Sequence, residues 1–203
     1  YVVNTCTVTN IADRKSRQML HKAKKQNPDA VVIAVGCYVE TDPARVEADD
    51  AIDLVIGNNK KTQIGQILTG FLAQREGQKD GAETSGTVQA KPSFREDLTC
   101  APSFENMNLT SPGHTRAYIK IQDGCNQFCS YCIIPYTRGR VRSRKMEDVY
   151  EEVVKLAKAG YHEVVLTGIH LSSYGVDLEG ETLLTLIEKI HTIDGIERIR
   201  LGS

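Results

Sequence analysis

The sequence has no apolar stretch approaching the roughly 18 residues that a membrane-spanning helix needs, and no basic-then-apolar secretory leader opens it. Both absences argue against a membrane or secreted protein. The expectation is a cytoplasmic chain, with no membrane partner, whose thiols stay reduced. Net charge is almost lacking as well, since 25 Lys and Arg face 26 Asp and Glu for a balance of −1. The balance is not uniform along the chain. Six Lys/Arg and no acid fall between Arg14 and Lys25, and five Lys/Arg and no acid between Arg138 and Lys145, so each run is a candidate footprint for a polyanion. An initial Met is missing too. The chain opens inside the apolar run Tyr1-Val2-Val3 and stops at Leu201-Gly202-Ser203 as a β-type run is finishing, so a piece of a longer protein is expected. With 203 residues and 40% hydrophobic content it can bury one or two ordinary cores.

Three segments follow from patterning. Residues 1–74 alternate short apolar runs with amphipathic stretches, the pattern of βαβ units on a parallel sheet. A helix is predicted from about Ile11 to Gln26, capped by Thr9 or Asn10, with Ala12, Ser16, Met19 and Ala23 as its inner stripe. Strands are predicted over 30–35 and 53–56, and helices opening at Pro43 and spanning 61–74. Residues 75–113 are rich in Gly, Ser, Thr, Lys and Glu and read as a linker, with Cys100 a free thiol inside it. Residues 114–203 start a second series: strand 117–122, helix 146–159, strand 162–167, helix 181–193, strand 196–201. A reactive loop after the first strand of such a series is how a (β/α) barrel carries its site. The fold class expected is α/β: a Rossmann- or flavodoxin-like N-terminal domain, then the first part of a TIM-like barrel.

What the cysteine set lacks is a fourth member. Cys125, Cys129 and Cys132 form a C-x3-C-x2-C run after Gly124. Closed zinc and ferredoxin sites take four protein ligands, so a triplet implies a [4Fe-4S] cluster with one iron left open. Tyr131, between two of the ligands, would set its ring beside that iron, or would pack in a core. The bland alternative for the triplet is a zinc knuckle completed by His114 or His170, although no second C-x2-C pair accompanies it. Cys6 and Cys37 each follow a predicted strand, and the carboxyl ends of adjacent parallel strands open on one crevice. By residues alone, two buried cysteines and two ligands both remain open. Gly57-Asn58-Asn59-Lys60 reads as a turn rather than a phosphate loop.

Asn4-Thr5-Cys6-Thr7-Val8, Gly36-Cys37, and Gly124-Cys125 through Cys132 with Ile133-Ile134-Pro135-Tyr136-Thr137-Arg138-Gly139-Arg140 together resemble the radical S-adenosylmethionine (SAM) methylthiotransferases. The likeness covers the chain apart from the linker. It implies two [4Fe-4S] clusters and SAM: one cluster on Cys125, Cys129 and Cys132, the other on Cys6, Cys37 and a cysteine upstream of Tyr1. It further implies contact of Thr167 and Gly168 with the SAM amino group, where a plain strand-to-loop turn is the alternative. The implied reaction converts adenine C2–H to C2–S–CH3: SAM is cleaved to a 5′-deoxyadenosyl radical, and the second cluster carries the sulfur. The cofactors do that chemistry and the protein positions it. Asn4 to Asn10, Lys120 to Cys125 and Leu166-Thr167-Gly168-Ile169-His170 most resemble the tRNA enzymes acting on N6-threonylcarbamoyladenosine next to the anticodon. Isopentenyladenosine tRNA and ribosomal-protein methylthiotransferases are the alternatives.

The implied partners are a tRNA anticodon stem-loop and an electron donor such as flavodoxin or ferredoxin, with the protein itself a monomer. Arg138, Arg140, Arg142 and Arg144 recur at every second residue, so in an extended segment they would share one face and could clamp phosphates. The basic run from Arg14 to Lys25 reads instead as the solvated face of a helix. A non-enzymatic reading, a zinc-stabilised RNA-binding module using the same loop and Arg row, stands beside these. An electron carrier fits less well, because ferredoxin sites close all four positions.

Overall fold

The computed structural model describes residues 1–79, 91–98, 103–106 and 115–202, and divides into two compact units, Tyr1–Asp97 and Leu98–Ser203. The expected segment boundaries at 74 and 113 differ from this division. Cys100 and His114 lie outside the described residues.

In the first unit β1 (Val2–Thr5), β2 (Ile33–Gly36), β3 (Leu54–Ile56) and β4 (Ser93–Phe94) pair in chain order, every pair parallel. Strand β4 falls in the stretch expected to be linker. Its two residues carry too little pattern to read as a strand, and its ladder to Val55 and Ile56 defines it. Helices α1 (Asn10–Gln26), α2 (Tyr38–Thr41) and α3 (Pro43–Glu47) contribute Leu20, Ala23, Tyr38, Val39 and Val46 to one core cluster with Ala34 and Val55. Helix α4 (Ile64–Lys79) packs Ile64, Ile67, Leu68 and Phe71 against Ile33, Val35, Leu54 and Ile56. Successive side chains of a strand point to opposite faces, which is why neighbouring residues of β2 enter different clusters.

Thr9 caps α1, its side chain accepting from the Ala12 amide, and the chain leaves the helix at Asn27. The buried stripe is Ser16, Leu20 and Ala23, while Met19 is exposed. The helix is turned so that branched Leu20 rather than Met19 enters the core. At 57–60 the chain makes the expected turn, opening a 3-10 segment Asn58–Gln63, and the Asn58 amide donates to Glu40 at 2.8 Å.

In the second unit β5 (Ala117–Lys120), β8 (Glu163–Thr167) and β9 (Arg198–Gly202) form a parallel sheet in the order β5-β8-β9. Between β5 and β8 lie a short antiparallel pair, β6 (Gln122–Asp123) with β7 (Arg142–Ser143), the single-turn helix α5 (Ile134–Thr137) and helix α6 (Met146–Lys158). Helix α7 (Leu183–His191) follows β8, its capping box formed by Thr182 and Thr185. Val149, Val153, Leu186 and Ile190 of the two helices pack on Ile119, Val164 and Leu166 of the sheet. The three parallel strands and the loop after the first match the expected opening of a barrel. Among the described residues no helix is long and apolar enough to cross a membrane.

Candidate metal centre and cofactor pocket

Residues 124–141 are a long loop carried on the β6–β7 pair, and its base is zipped shut. The Cys125 amide donates to the Gly139 carbonyl at 3.1 Å and the Val141 amide to Asn126 Oδ1 at 3.1 Å. Gly124 sits at φ +73°, and a Cβ there would lie 1.9 Å from the Arg140 carbonyl oxygen. Only glycine tolerates both the dihedral and the approach. The base therefore fixes Cys125, which is buried, while Cys129 is exposed and Cys132 half-buried farther out. The Cys132 amide donates to the Cys129 carbonyl at 2.9 Å, turning the chain between those two thiols.

Two polar side chains at the start of the loop organise it. Gln122 is fully buried; its amide nitrogen donates to the carbonyls of Asp123 at 2.8 Å and Gly124 at 2.7 Å, and its oxygen accepts from the His170 amide at 2.8 Å. It thus ties the cysteine loop to the loop after β8. Asp123 accepts from the Gly124 amide at 2.9 Å and is ringed by Lys120, Arg138 at 3.6 Å and Arg142 at 3.5 Å. Burial alone would raise the Asp123 carboxyl, yet these cations hold it below the usual carboxylate range. Burial likewise draws the Arg142 guanidinium below its usual value, against the pull of Asp123.

Lys120, Gln122, Arg138, Thr167, Gly168 and Ile169 line a cavity of about 230 Å³ at the carboxyl ends of β5 and β8. Thr167 and Gly168, singled out for SAM contact, are both in its wall. The Thr167 hydroxyl donates to the Ile119 carbonyl at 3.2 Å, and Gly168 presses on Gln122, which a Cβ would approach to 2.9 Å. Lys120, Gln122 and Arg138 were not expected in the wall of this cavity. No periodicity marks a buried glutamine; only its place beside the cysteine run points to it.

The Arg row does not share a face. Arg138 is the αR-conformation C-cap of α5, Gly139 turns the chain at φ +79°, and only Arg142 and Ser143 are in a strand. Arg142 and Arg144 are both 4% exposed, Arg142 on Asp123 and Arg144 ion-paired with buried Glu152. The Arg144 backbone also accepts from Tyr174 Oη at 2.8 Å and donates to the Ile121 carbonyl at 2.8 Å. These two arginines are corrected from phosphate clamps to internal struts. Arg140 is exposed, its guanidinium 4.5 Å over the Phe128 ring, and Arg138 is half-buried beside Asp123.

In the first unit the register pairs Thr5 with Gly36, so Cys6 and Cys37 follow laterally adjacent residues of β1 and β2. Gly36, at φ +105°, lets the Thr5 carbonyl come to 2.4 Å from where a Cβ would stand, and the Cys37 amide donates to that carbonyl at 3.3 Å. Cys6 is exposed and Cys37 buried, with Asn58 Nδ2 3.8 Å from Cys37 Sγ. Ser16 fixes the backbone of Cys6, accepting from its amide and lying 3.0 Å from its carbonyl.

Among the described residues no three Cys, His, Asp or Glu side chains are gathered at metal-ligating distance. The donor chemistry of the loop nevertheless fits a [4Fe-4S] cluster: three soft thiols on one surface loop, the first held by a rigid base and the other two displayed beyond it. His170, offered above for zinc, has Nδ1 2.6 Å from Ser173 Oγ. Replacing Gln122 with Leu would strand the Gly124 and Asp123 carbonyls and the His170 amide at once. We expect a stability loss on the order of 3 kcal/mol in a urea titration. A change within a few tenths of a kcal/mol would show that the two loops hold each other without it.

Residues 1–57 match the family described as Uncharacterized protein family UPF0004, and residues 119–202 match the radical SAM superfamily. Over its whole length the chain is 41% identical to the threonylcarbamoyladenosine tRNA methylthiotransferase MtaB of Bacillus subtilis and 43% to the MtaB of Aquifex aeolicus, covering 42% and 46% of those proteins. It is 34% identical, over 98% of its own length and 43% of the relative's, to the tRNA-2-methylthio-N(6)-dimethylallyladenosine synthase of Pelotomaculum thermopropionicum. The chain thus spans less than half the length of these curated relatives. The solved radical SAM methyltransferase TsrM from Kitasatospora setae, with cobalamin and a [4Fe-4S] cluster bound, is similar at a TM-score of 0.52 and 17% identity. That match covers 87% of this chain and 38% of TsrM, and it bears on the fold alone. The three strands opening a barrel, the cysteine loop after the first of them and the two family matches agree: residues 119–202 are a radical SAM segment, and residues 1–57 ahead of it are a UPF0004 segment.

Proposed function

We propose that the protein is a tRNA methylthiotransferase acting on N6-threonylcarbamoyladenosine beside the anticodon, replacing adenine C2–H by C2–S–CH3. The observation that carries this reading is the cysteine loop: three thiols on a loop whose base is locked to β6 and β7, next to a cavity at the ends of β5 and β8. A [4Fe-4S] cluster held by Cys125, Cys129 and Cys132 would supply the electron that cleaves SAM to the radical taking the C2 hydrogen, a second on Cys6, Cys37 and a further cysteine would supply the sulfur, and another SAM would supply the methyl group. The chain's own residues then have distinct tasks. Lys120 and Arg138 give the cavity a positive rim suited to the SAM carboxylate, Thr167 and Gly168 shape its wall, and Tyr131, 91% exposed, offers its ring to the nucleoside. Gln122 keeps the two loops in register, and Gly36 sets Cys37 against β1.

The partners are the tRNA anticodon stem-loop and a flavodoxin or ferredoxin as reductant, with the protein a cytoplasmic monomer. Similarity to the two MtaB proteins supports the threonylcarbamoyl substrate. The second reading, an isopentenyladenosine substrate, is supported by the relative from Pelotomaculum. Deleting the gene and digesting bulk tRNA to nucleosides separates them. Loss of 2-methylthio-N6-threonylcarbamoyladenosine, with its unthiolated parent accumulating, is the expected result. Loss of the methylthio-isopentenyl nucleoside instead would move the substrate, and an unchanged nucleoside profile would refute both.

A further inference from the structure

The cysteine loop carries an aromatic surface that neither metal ligation nor the SAM cavity uses. Phe128 takes φ +48°, the left-handed region that a bulky residue seldom enters. Its ring lies under the Arg140 guanidinium, 4.5 Å from the centroid, and meets the Tyr136 ring edge to face at 5.6 Å and 88°. None of this is core. Tyr136 is 65% exposed, Phe128 38%, and Arg140 is exposed as well. Three elements supply the stack: the stretch between Cys125 and Cys129, helix α5, and the return of the loop at the zipped base. A strained aromatic, a second ring and a guanidinium therefore assemble in the open, where burial gives no reason for them. Exposed rings of this kind accept flat partners face on, and a guanidinium does the same while adding positive charge.

Resting on the reading of the protein as a tRNA-modifying enzyme, we propose that Phe128, Tyr136 and Arg140 form a stacking platform for unpaired nucleobases of the RNA. The platform would hold nucleotides beside the reacting one, splayed out of the anticodon loop. Charge complementarity favours RNA over a protein segment: Arg140 is exposed on a loop that carries no Asp or Glu from Gly124 to Val141. Stacking does not depend on base identity, so the platform orients the strand while the cavity beyond selects the base.

Tyr136→Ala and Arg140→Lys in the full-length protein test this. The probe is an anticodon stem-loop carrying 2-aminopurine in turn at each loop position next to the target adenosine, with iron content measured on the same samples. Wild type should quench one of these probes on binding. Tyr136→Ala should lose that quench and bind roughly 5- to 150-fold more weakly, the range of one base–aromatic stack. Its log-log salt slope should match that of wild type, because no phosphate contact is removed. Arg140→Lys keeps the charge and loses the plane, so it should also fail to quench fully. Wild-type binding with quench and affinity intact in both variants would overturn the platform and leave the tRNA reading standing. A wild type that binds neither stem-loop nor tRNA would overturn both, and Tyr136-dependent binding of a protein segment in place of RNA would overturn the choice of partner.

Discussion

Cys129→Ala in the full-length protein is expected to reduce SAM cleavage to 5′-deoxyadenosine to background. Three thiolates are the least that can hold a cluster with one open iron, and Cys129 is the exposed member, so its loss removes a ligand without opening a core. The iron content of anaerobically reconstituted protein should fall by about four, the complement of one cubane cluster. Both units should stay folded, since Cys129 contributes nothing to the core clusters. Undiminished 5′-deoxyadenosine from this variant would remove the loop from the chemistry.

The second large effect concerns stability. Arg144→Met should destabilise the second unit by about 3–5 kcal/mol, the loss typical of stranding one partner of a buried ion pair. Arg144 and Glu152 are 4% and 5% exposed and bonded to each other, so removing the cation leaves a carboxylate inside the protein with its main counter-charge gone. Adding Glu152→Leu should recover much of the loss, because a well-packed apolar pair can match a buried ionic one. Denaturant titration of the single and double variants measures both. If Arg144→Met were neutral for stability yet weakened stem-loop binding and lowered its salt slope, the side chain would be a phosphate contact after all.

The arginines at 138, 140, 142 and 144 mark the limit of sequence patterning. Alternation at 138, 140, 142 and 144 is a correct reading of an extended chain, but Pro135 opens a helical turn just before it and Gly139 interrupts it. Partners forty or fewer residues away, Asp123, Glu152 and Tyr174, then decided which arginines are internal. Such partners leave no periodic trace. The larger helices were legible because apolar spacing over two or more turns outweighs local noise, as in α1, α6 and α7. Even there the inner face of α1 moved to Leu20, since the packing of one branched side chain outweighs an idealised stripe. Short elements such as β4, β6, β7 and α5 were not legible, being fixed by pairing and by close backbone approach at Gly124 rather than by pattern.

Among the candidate site residues, the three clustered cysteines come from spacing and Thr167 and Gly168 from resemblance, and the fold sets the latter two in the cavity wall at the ends of β5 and β8. Gln122 was not singled out. Its role emerges only when the loop after β8 is folded back onto the cysteine loop, which places the His170 amide on its oxygen. Cys6 and Cys37 fall between these cases: adjacency of β1 and β2 follows from two βα steps, and the register then sets their backbones side by side.

On the proposed reading the loop from Cys125 to Cys132 holds a cluster with an iron open to SAM. Electron paramagnetic resonance of the dithionite-reduced, full-length protein, recorded with and without SAM, is the decisive experiment. To isolate this cluster, the same spectra are recorded on a variant with Cys6 and Cys37 replaced by Ala. The expected result is a reduced [4Fe-4S] signal in that variant whose g-values shift when SAM is added. A signal indifferent to SAM, or protein that contains zinc in place of iron and sulfide, would contradict it.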